Sequence, residues 1–184
     1  INNDSAFDVN FSETGITVTG WVKISSKGNR KTIWGGNGEN AWWQSRVSEN
    51  DKIEMWFGSS GQNTNIEGTT TLSTNQWYFY TGIWDPSTKE VRVYLDGNLE
   101  NSGYNGGFPN YNQISGNHIG RKNNGEYMNG SIDSLKIYKR VLTETEINNL
   151  YNRKSVPNGL VGEWNFESGN RNVVYDTSKL GANG

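Results

Sequence analysis

One histidine, His118, and no cysteine stand in this sequence, so disulfides and thiolate metal sites are excluded at the outset. A serine nucleophile would need His118 as its base, and SGNHIGR around it carries no nucleophile-elbow pattern. His118 therefore reads as a strand residue. Hydrolysis of a glycosidic bond requires two carboxyl groups flanking that bond. Glu54 in KIEMWF and Glu90 in KEVRV each stand alone on their strand, so the chain reads as a non-enzyme. What remains is recognition. Trp42 and Trp43 beside GGNGEN, and Tyr104, Asn110 and Tyr111 in NSGYNGGFPNYNQ, set aromatic rings among amides. Sugars present apolar C–H faces that stack on such rings while amides bond their hydroxyls, and Tyr, Gly and Asn dominate adaptable binding loops. The competing reading is that these rings roof the ends of a sheet.

The elements that must position these residues are strands. The 184 residues suit one domain. A hydrophobic share of 32% would suggest disorder, but 12% aromatic with eight tryptophans implies an aromatic, sheet-borne core. The formal charge of −2 with no basic run gives no electrostatic reason to bind nucleic acid. No stretch approaches the roughly 20 apolar residues of a membrane span, so no membrane insertion is expected. No signal peptide opens the chain, so a secreted form would have lost it or carry it outside this stretch.

Residues 5 to 11 are a short extended candidate. ITVTGWVKI, residues 16 to 24, alternates with Ile16, Val18, Val22 and Ile24 on one parity, the pattern of a half-buried strand; Trp21 falls on the other parity. In AWWQSRV, residues 41 to 47, neighbouring side chains point to opposite faces, so Trp42 and Trp43 cannot share one core. WYFYTGIW, residues 77 to 84, is aromatic on both parities and fits a strand covered on both sides. Asp85-Pro86-Ser87-Thr88 and Asp96-Gly97 supply turns that set neighbouring strands antiparallel. Thr143 and Glu146 have capping-box spacing, with Leu142 and Ile147 at staple positions, which predicts one short helix near 143–152. The segment after Pro157 is again written as a strand, with Leu160, Trp164 and Phe166 on one parity.

These residues resemble the concanavalin A-like, laminin G-like/pentraxin family. The likeness runs through ITVTGWVKI, through WYFYTGIWD with VRVYLDG, and through IGRKNNGEYMNGSIDSLKIYKRVLTETEINNLY. It implies an all-β, two-sheet antiparallel jelly-roll sandwich over residues 1–153. Residues 154–184 then form a linker and a strand resembling the start of such a domain. That strand either opens a next repeat, folds back as a permuted strand, or completes a neighbouring copy by donation. Family jelly rolls also hold Ca²⁺ at the sheet rim with oxygen ligands. Asp133 shares parity with the apolar Leu135 and Ile137, and a carboxylate facing inward is paired, hydrogen-bonded or metal-bound. Asp176 in VVYDTS is the second candidate, because the matching family segment sits near that rim. The competing reading gives Asp133 to backbone N–H groups, Arg121 or Lys136.

The expectation is thus a non-catalytic, glycan-binding adhesion module of an extracellular or cell-surface protein, with Ca²⁺ as a structural ion. The rival expectation is a structural repeat that joins neighbouring copies of itself through residues 158–184.

Overall fold

The computed structural model describes residues 11–37, 41–59, 62–104, 115–122, 125–167, 169–170 and 173–178. Phe11–Thr14 makes one helical turn, α1; the remainder of the extended stretch expected over residues 5 to 11 lies outside the described residues. The strands are β1 (Ile16–Ile24), β2 (Lys31–Asn37), β3 (Ala41–Val47), β4 (Lys52–Ser59), β5 (Gln62–Thr71), β6 (Tyr78–Asp85), β7 (Glu90–Leu95), β8 (Asn98–Tyr104), β9 (Ser115–Ile119) and β10 (Gly130–Tyr138). Helix α2 (Glu144–Tyr151) follows, then β11 (Leu160–Trp164) and the small hairpin of β12 (Gly169–Asn170) and β13 (Val173–Val174). One antiparallel sheet has the order β11-β10-β1-β6-β7-β8, and the other β5-β4-β3-β2-β9. Together they form a jelly-roll sandwich.

The alternation in β1 decides which side of the first sheet is inner. Ile16, Val18, Val22 and Ile24 enter the core between the sheets, where they join Trp34, Trp43, Val47, Ile53, Met55 and Phe57 of the second. Strand β6 is buried along its whole length because its other parity is covered too. Phe79, Ile83, Tyr94 and Tyr138 on the outer side of the six-stranded sheet pack under Leu142, Ile147, Leu150 and Val156 from α2 and its flanks. Trp21 joins this second layer, with its ring centroid 5.3 Å from Phe79 and 5.7 Å from Tyr151.

Helix α2 has the capping box: the Thr143 hydroxyl accepts from the Glu146 N–H, and the Glu146 carboxylate accepts from the Thr143 N–H at 2.9 Å. Arg140 grips the same carboxylate through two N–H groups at 2.8 and 2.6 Å. This hydrogen-bonded pairing pulls the Glu146 pKa from 4.5 to about 2. Because the folded value lies below the unfolded one, the contribution is complete above about 4.5 and fades as pH falls through about 2. Wild-type stability should therefore drop between pH 5 and 2 more steeply than that of Glu146→Gln, measured by urea unfolding across that range.

Two expectations about β10 and the tail meet the tertiary structure here. Between Thr19 and Trp21 of β1 the pairing with β10 slips by one residue, and Ser134 sits at φ 50°. This bulge puts Ile132 opposite the core residue Val22 and Asp133 opposite the outward-facing Trp21. Asp133 therefore does not share the inward face of Leu135 and Ile137: one extra residue reverses parity beyond it. The tail folds back onto its own sheet. Strand β11 pairs with β10, Leu135 opposite Trp164, and Val161 and Trp164 enter the core. The chain then runs back along β11, the Thr177 N–H bonding the Glu163 carbonyl at 2.8 Å.

Candidate functional site

The outer side of the five-stranded sheet carries a polar and aromatic array that the strand registers assemble. Gly35 of β2 lies opposite both His118 of β9 and Gln44 of β3; Gln44 lies opposite Trp56 of β4, and Trp56 opposite Asn65 of β5. One step along, Arg46 lies between Thr32 and Glu54, and Glu54 is opposite Glu67. One step the other way, Trp42 is opposite Gly58. Trp42 and Trp56 are thus diagonal neighbours on a single face, with Gln44 and Gly58 at the other corners, a spacing within reach of large rings. A Cβ on Gly35 would come to 3.2 Å from the Gln44 side chain, so the glycine lets that side chain pack closely against β2.

Charges lock this face. Arg46 and Glu54 are buried, and the Arg46 Nε donates to the Glu54 carboxylate at 2.5 Å. Arg46 Nη1 donates to Gln44 Oε1 at 2.7 Å and lies 3.6 Å from Glu126. The guanidinium also stacks on Trp56, 5.2 Å from its centroid, and Lys122 lies 5.3 Å from that centroid, contacts that add cation–π attraction. The Gln44 carbonyl is held, while its buried Nε2 has no hydrogen-bond partner among the described residues. A buried donor left unpaired is unfavourable. Beside it, Arg30, Arg46, Ser48, Glu49, Asn50, Glu54, Trp56, Asn65 and Glu67 enclose a depression of about 160 Å³.

Glu54 is the one carboxylate on its own strand, and across the strand pair Glu67 of β5 faces it. Two neighbouring carboxylates are the raw material of glycoside hydrolysis. Here, however, Glu54 is engaged by Arg46, and Glu67 accepts from the Asn50 amide at 3.1 Å with Lys52 at 3.9 Å.

A larger groove, about 710 Å³, lies on the opposite side of the molecule between α2, the 153–157 segment and the tail. On its floor Arg153 lies over Trp21 at 5.2 Å, and Phe79 is buried. Lys136, whose pKa burial lowers against the opposing charge of Asp133, is ion-paired with Glu163. Its aromatic lining is Trp21, packed against Phe79 and Tyr151, with the buried Phe79 and Tyr138.

The residues singled out in the sequence scatter accordingly. Trp42 is 38% exposed on the array, but Trp43 is a core residue, packed against Trp34; as a ligand contact it is corrected, because strand alternation sends its ring inward. Tyr104, 66% exposed, ends β8 in the other sheet. Asn110 and Tyr111 lie outside the described residues. The residues named for Ca²⁺ do not form a fitting donor set. Asp133 faces outward near Lys136, and both oxygens of Asp176 accept hydrogen bonds, from the N–H of Glu163 and from the N–H and hydroxyl of Ser178, each at 2.8 Å. Among the described residues no three His, Asp or Glu side chains gather as a metal site. Sequence reading passed over Gln44, Arg46, Trp56, Asn65 and Glu67. The available signal was their shared polar parity on three strands, legible only once the strands are paired.

Similar folds are common among solved structures. A Bacteroides ovatus protein provisionally described as carbohydrate binding superposes with a TM-score of 0.75 at 20% identity, over 95% of this chain and 52% of that one; this chain spans about half its length. Domain 4 of the extracellular arabinanase AbnA from Geobacillus stearothermophilus, in complex with arabinotriose, gives 0.60 at 26% identity, over 75% and 68%. The CBM40 of a Ruminococcus gnavus sialidase, bound to α2,3-sialyllactose, gives 0.62 at 13%, over 77% and 90%. No protein of curated function matches the sequence. The family model described as the concanavalin A-like lectin/glucanases superfamily matches residues 3–148. With that match covering most of the chain, and the two sheets as described, this protein belongs to the concanavalin A-like lectin/glucanase superfamily.

Proposed function

We propose that this chain is a non-catalytic carbohydrate-binding module of a larger extracellular or cell-surface protein, and that a glycan lies on the outer side of the five-stranded sheet. The observation that carries the reading is the pairing of two indoles, Trp42 and Trp56, as diagonal neighbours on one face, beside a depression lined by the Asn50 and Asn65 amides. Rings supply the stacking surface and amides the hydroxyl contacts, the general recipe of a small-molecule site. The arabinotriose named for one similar structure supports the ligand class. The engagement of Glu54 and Glu67 by cations and amides supports a binding role over hydrolysis.

Loss of each indole tests this. Against a glycan found by array screening, Trp42→Ala and Trp56→Ala should each weaken binding by about tenfold or more, the ~1–3 kcal/mol scale of a good aromatic contact, measured by titration calorimetry. Tyr104→Ala, in the other sheet, should bind as the wild type does. Equal affinity in all three variants would remove the array as the site.

A further inference from the structure

We propose that this site selects uncharged saccharides against acidic ones, and that the facing pair Glu54 and Glu67, with Arg46 committed to Glu54, sets the selectivity; this rests on the glycan reading above. Recognition of a sugar carboxylate calls for a guanidinium with a free N–H fork. Of the two guanidinium groups lining the depression, Arg46 is committed by hydrogen bonds and Arg30 is flanked by carboxylates. Arg46 spends Nε on Glu54 at 2.5 Å and Nη1 on Gln44 at 2.7 Å, with Glu126 at 3.6 Å. Arg30 stands between Glu49 at 3.5 Å and Glu126 at 3.9 Å. The lining then holds three carboxylates, Glu49, Glu54 and Glu67, against two arginines, and Glu54 and Glu67 sit directly across one strand pair. An acidic sugar entering here adds a negative charge beside a facing carboxylate pair that Arg46 and Lys52 only balance, and like charges juxtaposed in an interface discriminate strongly.

A neutral saccharide meets the same atoms to advantage. Its hydroxyls donate to carboxylate oxygens and accept from the Asn50 and Asn65 amides that line the depression. Two cations near the array have no carboxylate partner among the described residues. Arg121 is exposed, its Nη2 3.5 Å from His118 Nδ1, and Lys122 rests over the Trp56 ring. These are the groups an acidic ligand would recruit.

The test is an array of neutral and acidic glycans probed with the whole chain, followed by calorimetry on the best neutral ligand and its uronic or sialylated counterpart. The neutral member should bind at least about tenfold more tightly. Glu67→Gln, which removes one charge without touching the Arg46–Glu54 pair, should narrow that ratio at least about threefold. Acidic glycans bound as tightly as neutral ones, with that affinity lost in Lys122→Ala, would overturn the selectivity and leave the glycan reading standing. A ratio unmoved by Glu67→Gln would also overturn the assignment. Binding to neither class defeats both readings together.

Discussion

Replacing Trp164 by alanine is expected to destabilise the fold by about 3–5 kcal/mol, the range for removing a large aromatic from a packed core. Trp164 is fully buried opposite Leu135, at the end of a five-residue strand on the edge of its sheet. The family match ends at residue 148, yet this later residue reaches the same inter-sheet core as Val18 and Trp84. Domains of ordinary stability have about 5–15 kcal/mol in hand, so one side chain beyond the matched region governs a large fraction of it. Phe166, two residues on and 37% exposed, provides the control: Phe166→Ala should stay within about 0.5 kcal/mol of wild type. Urea unfolding followed by circular dichroism measures both, with the slope against urea unchanged. Equal midpoints for the two variants would mean that the tail is not part of the core.

Arg46→Ala should destabilise by about 3–5 kcal/mol, because it strands the buried Glu54 without its partner. The guanidinium also leaves the Gln44 carbonyl and the face of Trp56. Replacing both members with apolar residues, Arg46→Met with Glu54→Leu, removes the uncompensated charge and should recover most of the loss. Glycan binding should stay absent in the double variant, so stability and recognition separate. A single variant no less stable than the double would show that the pair carries no buried-charge energy. Denaturant midpoints at pH 7 decide the matter.

The local grammar of the chain was readable at particular residues. Ile16, Val18, Val22 and Ile24 alternate because each side chain answers to the side of its own strand. Asp96 and Gly97 turn the chain at φ 51° and 81°, and Thr143 with Glu146 caps α2 through contacts three residues apart. Trp42 was legible as one of two rings, and its neighbour Trp43 was bound to point the other way.

The array itself was not legible, for a different reason. Trp42, Gln44 and Arg46 become part of a site only beside Trp56 and Glu54 of β4, and those only beside Asn65 and Glu67 of β5. The bulge at Ser134 depends on the partner strand β1, so counting along β10 alone assigned Asp133 to the wrong side. Sequence by itself determined the strands, the turns, the capped helix and an aromatic core, because each rests on neighbours a few residues away. Tertiary structure alone decided the register, the folded-back tail and the charge-locked face, because each is a contact between segments far apart in the chain.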